Sequence, residues 1–299
     1  MTSQKSKVKL FVILGVIAVS FGSIIIKSST APSIIIATYR MLLTVIILTP
    51  FILSDLSCKK ELKNINSKNL LLCIASGFFL AMHFVTWISS LKYTSINSST
   101  ILVNTHPLFI VIFSYFFLKE TYNLKTIFAI IITLIGGILI SWGDFSISNT
   151  QLLGDVLAIS GGFFVSGYIL IGNVVRKDLS AKSYCYVVYG FSVIFLLSFS
   201  LLSNSRLIGY PVVEYLKFLG LAFVCTILGH TVFNWALAYI EASFVSISIL
   251  GEPVFASLWA ILFFGEIPSL IQSIGSIIVL IGIIMYFVIT DSSTSMDKG

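Results

Sequence analysis

The sequence predicts an all-α membrane protein of ten transmembrane helices arranged as two inverted five-helix repeats. Three observations lead there. The 299 residues are 57% hydrophobic and only 10% charged, with a mean hydropathy of +1.05, whereas a soluble domain carries about a quarter of its residues as Asp, Glu, Lys and Arg. Apolar runs of about 20 residues, long enough to cross a hydrocarbon core as a helix, recur along the whole chain. The second part of the chain repeats the first at a fixed offset, with an odd number of spans in each half.

The apolar runs are continuous rather than alternating with polar residues, which selects helices over a barrel. Gly, Pro, Asn, Ser and charged residues divide them into spans at roughly 8–28, 33–53, 69–91, 95–118, 124–142, 152–173, 183–203, 214–238, 242–264 and 269–289. Lys5, Lys7 and Lys9 give the first span the charge order of a signal peptide. Its length and the lack of a small-residue cleavage site predict an uncleaved span instead.

Lys and Arg set the orientation. With the N-terminus inside, thirteen basic residues fall in the cytoplasm and four outside, namely Lys27, Lys92, Arg206 and Lys217; Arg40 lies within a span. Both termini are therefore expected to be cytoplasmic in a multi-pass cell (inner) membrane protein. The net charge of +6 is then a topology signal, and no nucleic-acid partner is expected. Cys58, Cys73, Cys185 and Cys225 have no CxxC spacing and read as small packing residues.

Residues 91–141 align with 237–287 at an offset of 146, placing Tyr93 on Tyr239, Pro107 on Pro253, Glu120 on Glu266 and Gly136 on Gly282. The halves are read as 1–146, holding spans 1 to 5, and 147–299, holding spans 6 to 10. Five is odd, so the second half enters the membrane inverted. Two inverted halves rocking about a site near the midplane is an architecture that secondary transporters use.

A titratable side chain at the bilayer centre costs a few kcal/mol, so its presence points to function by default. His83, His106 and His230 all fall inside spans, and Glu252 is the one acidic residue at a mid-span position. His106 and Glu252 are equivalent under the repeat, and each precedes a proline. They are the coupling candidates, because a proline removes one backbone donor and exposes carbonyls nearby. His83 with Trp87, and His230 with Asn234, share helix faces four residues apart; Trp235 and Asn104 complete the candidate substrate-binding set. The bland alternative for each is interhelical glue. Arg40, about two turns into its span, is expected to bond a carbonyl or to snorkel outward, with a substrate carboxylate as the competing partner. Lys27 is expected to snorkel at the interface. Gly136, Gly137 and Gly143, with Gly275 and Gly282, permit close helix approach. HExxH, GxSxG, P-loop and GxGxxG signatures are missing from the sequence, so no enzymatic activity, cofactor or metal is expected.

The segments from His83 to Phe109, from Gly229 to Phe255, FFLKE ending at Glu120, FFGE ending at Glu266 and ATYR ending at Arg40 resemble the drug/metabolite transporter superfamily, specifically proteins with two EamA domains. The resemblance covers nearly the whole chain. It implies ten helices around a central cavity and export of amino acids, metabolites or drugs, often coupled to a proton or ion gradient. Carried over, the cavity draws on His83, Trp87, Asn104, His106, His230, Asn234, Trp235 and Glu252. One departure is Lys119, where the family pattern has the glycine of Leu-Gly-Glu, so the tight helix end is expected to be altered there. The expected function is gradient-coupled export of small metabolites, with membrane lipid and a small-molecule substrate as partners. The competing expectation is a non-transporting channel or scaffold whose buried polar residues serve packing. Oligomeric state is not legible in the sequence.

Overall fold

The computed structural model describes residues 2–113, 115–116, 119, 124–145, 149–230, 232, 236, 248–249 and 251–296, with backbone alone at 2–6, 143–145, 230, 287 and 290–296. Among the described residues the regular structure is entirely helical. The first half supplies α1 (Thr2–Ser28), α2 (Ser33–Ser54), α3 (Leu56–Lys63), α4 (Ser67–Ser90), α5 (Ile96–Val103), α6 (His106–Phe113) and α7 (Leu124–Phe145). The second half supplies α8 (Asn149–Val175), α9 (Ala181–Leu202), α10 (Val212–Gly220) continuing into a π-helical segment (Leu221–His230), α11 (Gly251–Phe264) and α12 (Leu270–Met296).

Eight described stretches are long and apolar enough to cross a membrane, and Gly251–Phe264 and Leu270–Tyr286 are shorter apolar helices. Large apolar side chains such as Phe51, Leu71, Leu124, Trp142 and Leu202 are exposed on the outside of the bundle. So much bare apolar surface is unfavourable in water and natural in lipid. The chain is a multi-pass membrane protein.

Two local features differ from regular spans. The fourth apolar run is not one helix, since α5 ends at Val103 and α6 restarts at His106, with Pro107 in its first turn. Proline fits there because a first-turn N–H has no intrahelical acceptor to lose. Between the second and third runs, Asp55 caps the short α3 by accepting from the amides of Ser57 and Cys58.

Helix contacts follow the exchange of halves. α4 packs on α8 as the π-helical segment packs on α1, and α5 and α6 pack on α8 as α11 packs on α1. α7 packs most extensively on α12, where glycine lets the backbones meet. A Cβ at Gly136 would lie 2.7 Å from the Val279 amide nitrogen, and one at Gly282 would lie 2.8 Å from that of Thr133. Each member of one pair is 146 residues from its counterpart in the other (282 − 136 and 279 − 133). As the α7 residue advances from 133 to 136, its α12 partner falls from 282 to 279, so these helices run antiparallel. The same reversal holds between α2 and α9, where Thr38 bonds Ser200 and Thr49 bonds Tyr186.

Polar contacts also join the halves at the two ends of the bundle. At one end Glu214 accepts from the Ser29 hydroxyl, the Thr30 amide (3.2 Å) and Lys217 (2.9 Å), while Lys27 pairs with Glu266 at 2.6 Å. The sequence places Lys27 at an interface; the structure gives it a partner from the other half, and its ammonium also donates to the Thr94 carbonyl. At the opposite end Lys182 pairs with Asp55 at 3.1 Å and Glu61 accepts from Ser180. Lys182 holds the Asp55 carboxyl below its ordinary range, and the Ser180 hydroxyl does the same for Glu61. Depressed carboxylates stabilise the folded state above their unfolded pKa of about 4, and that contribution fades as pH falls through the lower folded value.

Candidate functional site

Arg40 is the centre of the site. It projects from α2 into the bundle and is only 2% exposed. Its guanidinium carbon lies 4.6 Å from the centroid of the Phe84 ring and 5.8 Å from that of Trp87, both on α4. Its Nε donates to the Thr226 hydroxyl at 3.1 Å. Outward snorkelling, the expectation from depth alone, does not occur. The aromatic faces and one hydroxyl give the cation an interior seat, although its Nη1 has no hydrogen-bond partner among the described residues.

Thr226 reaches Arg40 from the π-helical segment, where its hydroxyl also donates to the carbonyl of Leu221, five residues back, at 3.1 Å. π-Helical turns are rare and concentrate at functional positions. Here the wider winding turns a hydroxyl from the second half toward a cation from the first.

His83 and Trp87 share one face of α4, as their four-residue spacing requires. Their rings are nearly parallel, 7° apart with centroids at 5.9 Å. His83 Nδ1 lies 2.9 Å from the Gly161 carbonyl of α8. A carbonyl only accepts, so Nδ1 is the donor in this contact, and Nε2 is the nitrogen left for another partner. Trp87 is 6% exposed and its indole N–H has no partner among the described residues.

The α5–α6 break lies beside this cluster. The His106 carbonyl accepts from the Ser166 hydroxyl at 2.8 Å. His83 and His106 are within electrostatic reach of each other. Asn104 donates to the Thr100 carbonyl of its own helix at 2.8 Å, so that amide proton is committed to the scaffold. The other amide of the stripe, Asn97, bridges helices by accepting from Ser257 of α11 and donating to Ser276 of α12.

Glu252, second residue of α11, is half-buried and lies within electrostatic reach of Arg40 and Cys225. The cluster therefore holds Arg40, His83 and Trp87 in contact through Phe84, with His106 and Glu252 nearby. Asn234, Trp235 and the His230 ring lie outside the described residues. Sequence reasoning passed over Tyr189 of α9, which is within electrostatic reach of Arg40 and Cys185. The available signal was three tyrosines, Tyr184, Tyr186 and Tyr189, in six residues of an apolar span. Among the described residues no group of His, Cys, Asp and Glu is arranged to hold a metal ion.

Known proteins with similar sequences are transporters. An uncharacterized transporter of Archaeoglobus fulgidus is 24% identical over 83% of this chain and 85% of its own length. The uncharacterized transporter YxxF of Bacillus subtilis is 24% identical over 75% of this chain and 71% of its own. The pseudopaline exporter CntI of Pseudomonas aeruginosa is 22% identical over 71% and 72%. One solved crystal structure superposes with a TM-score of 0.63 over 95% of this chain and 97% of its own at 14% identity, a likeness of fold. The EamA-like transporter family model matches twice, at residues 6–142 and 152–288, two blocks that begin and end 146 residues apart, the offset of the internal repeat. The resemblance read from the motifs is borne out, and the chain belongs to the EamA-like transporter family.

Proposed function

We propose that this protein exports small metabolites across the inner membrane in exchange for protons, with both termini in the cytoplasm and ten spans divided into inverted halves at 1–146 and 147–299. The observation that carries the reading is that a buried cation from one half, Arg40, and a carboxylate from the other, Glu252, lie within electrostatic reach of each other without forming a direct ion pair. Opposite charges in a low-dielectric interior attract strongly, and a proton on Glu252 removes that attraction. Protonation thus changes what holds the halves together at the midplane, which is what a gradient must do to drive alternating access. Among the described residues, Arg40 and Cys225 are the titratable groups in electrostatic reach of Glu252.

The proposed substrate-binding residues are His83, Trp87, Asn104, His106, His230, Asn234, Trp235 and Glu252. His106, equivalent to Glu252 under the repeat, is the secondary coupling residue. Export is supported by likeness to a relative described as a pseudopaline exporter.

The test is transport in proteoliposomes under an imposed pH gradient, with the substrate first identified by comparing metabolites in cells with and without the protein. Wild type accumulates substrate uphill and shows saturable counterflow. Glu252→Gln keeps counterflow and loses the uphill component. Equal gradient-driven transport by both removes Glu252 from the mechanism. Absence of counterflow across a broad metabolite panel favours a non-transporting channel or scaffold.

A further inference from the structure

α3 (Leu56–Lys63) is a short helix between two spans, α2 ending at Ser54 and α4 beginning at Ser67. Its two faces differ. On the side turned to the bundle Cys58 is buried and Glu61 and Leu62 are half-buried, and Glu61 accepts from the Ser180 hydroxyl of the second half at 2.7 Å. Leu56, Lys59, Lys60 and Lys63 stand at positions i, i+3, i+4 and i+7, which form a single helical face. All four are exposed, Leu56 at 80%. The acidic residues of the segment do not neutralise this face. Asp55 pairs with Lys182 and Glu61 is bound to Ser180, and among the described residues no ion pair reaches Lys59, Lys60 or Lys63. Lys59 and Lys63 are four apart, a like-charge spacing that disfavours a helix on its own. Three uncompensated cations around an exposed leucine, where two membrane spans end, suit a surface that is negatively charged outside and apolar just beneath.

We propose that α3 is an interfacial helix whose three lysines bind acidic phospholipid headgroups while Leu56 enters the lipid beside them; placing it on the cytoplasmic leaflet rests on the orientation proposed above. Each side chain has a matching part of the lipid. A lysine stem lies along apolar surface and carries its ammonium to headgroup level, and an anionic leaflet attracts basic residues placed next to a span. Phe51 and Leu53 in the last turn of α2, and Leu71 near the start of α4, are exposed apolar side chains that mark hydrocarbon on both flanks. They hold α3 at the depth where an amphipathic helix lies in the interface. A nucleic acid or an acidic protein would meet the same charges but has no use for a leucine bared among them. The opposite face is fastened to α9, so lipid takes the outer face without competing for that contact.

The test titrates the full-length protein, purified in neutral detergent, with phosphatidylglycerol, phosphatidylcholine and glycerol phosphate, and reads each affinity from thermal stabilisation. Wild type should prefer phosphatidylglycerol to phosphatidylcholine by at least about tenfold, since each lysine near an anionic surface adds about fivefold. Lys59→Gln, Lys60→Gln and Lys63→Gln combined should bring the two lipids within about threefold of each other, and arginine at the same three positions should restore the preference. Lys7→Gln, Lys125→Gln and Lys177→Gln combined remove as much charge from other exposed lysines and should keep it. Leu56→Gln should weaken both lipids alike. The inference is overturned if wild type binds the two lipids equally, if both triple variants lose the preference to the same extent, or if glycerol phosphate binds as tightly as phosphatidylglycerol, which would make the face a site for free anions. Lipid preference needs no substrate movement, so a failure of transport leaves it standing. A thiol reagent that cannot membranes pass checks the side: labelling of Lys63→Cys only in opened cells upholds the cytoplasmic leaflet, and labelling in intact cells overturns it.

Discussion

α7 of the first half and α12 of the second meet through equivalent atoms, Gly136 on Val279 and Gly282 on Thr133, whereas the groups around Arg40 have no equivalents under the same exchange. At the repeat offset Arg40 falls on Tyr186, His83 on Gly229, Trp87 on Phe233 and Glu252 on His106, each a residue of a different kind. The seam between the halves has kept the symmetry that a rocking pair of bundles needs. The site has lost it, as suits a ligand whose two ends differ. A symmetric cavity would offer like groups to both ends of its substrate, but here the cation and the imidazole of His83 come from one half and the carboxylate from the other.

The largest effect expected of that comparison is at the seam. A side chain on Gly136 or Gly282 would strike backbone atoms of the facing helix, which cannot turn aside as a flexible side chain does. Gly136→Leu and Gly282→Leu should each lower stability by about 1–3 kcal/mol or more, as overpacking does, and by similar amounts. Gly137→Ala is the control, because its Cβ would meet only Leu102 at an ordinary 3.6 Å; it should be neutral or mildly stabilising, since alanine is the better helix former. Melting curves of the purified protein in detergent read all three. A large loss at one seam glycine and none at the other would show that the reciprocity is geometric without being energetic.

Much of this seam was legible in the sequence. Pairs such as Pro107 with Pro253 and Gly136 with Gly282 are hard to align by composition alone, and they fix the offset that the packing obeys. The site was less legible, for a definite reason. Hydropathy gives the depth of Arg40 but not its rotation about the helix, and its seat is built by Phe84, Trp87 and Thr226 from segments distant in the chain. Lys27 shows the same limit, since its partner Glu266 lies near the other end of the sequence. The π-helical winding of Leu221–His230 leaves no mark in the order of apolar residues. The break before His106 was signalled by Pro107, while the local bond that occupies Asn104 was not.

The smallest effect tests whether the halves share backbone as well as packing. Gly265 ends α11 with φ of 65°, its amide bonded to the Ile261 carbonyl and the Glu266 amide to that of Ala260, a left-handed cap that glycine adopts without strain. The equivalent residue of the first half is Lys119, which holds φ of 57° although it has a side chain. The family glycine is thus replaced while the left-handed turn is kept, contrary to the altered end its loss suggests. An L-residue in this conformation costs roughly 1–2 kcal/mol, and Lys119 is exposed, so replacing it removes no packing. Lys119→Gly should relieve that strain but also frees the unfolded chain, which takes back about 0.4–1 kcal/mol. The net expectation is a gain below about 1 kcal/mol, seen as a small rise in melting temperature. Gly265→Ala should shift the other way by a comparable amount, because it imposes on the second half the strain the first already carries. If Lys119→Gly is destabilising, its side chain contributes something at that helix end that glycine does not, and the two turns are alike in shape only.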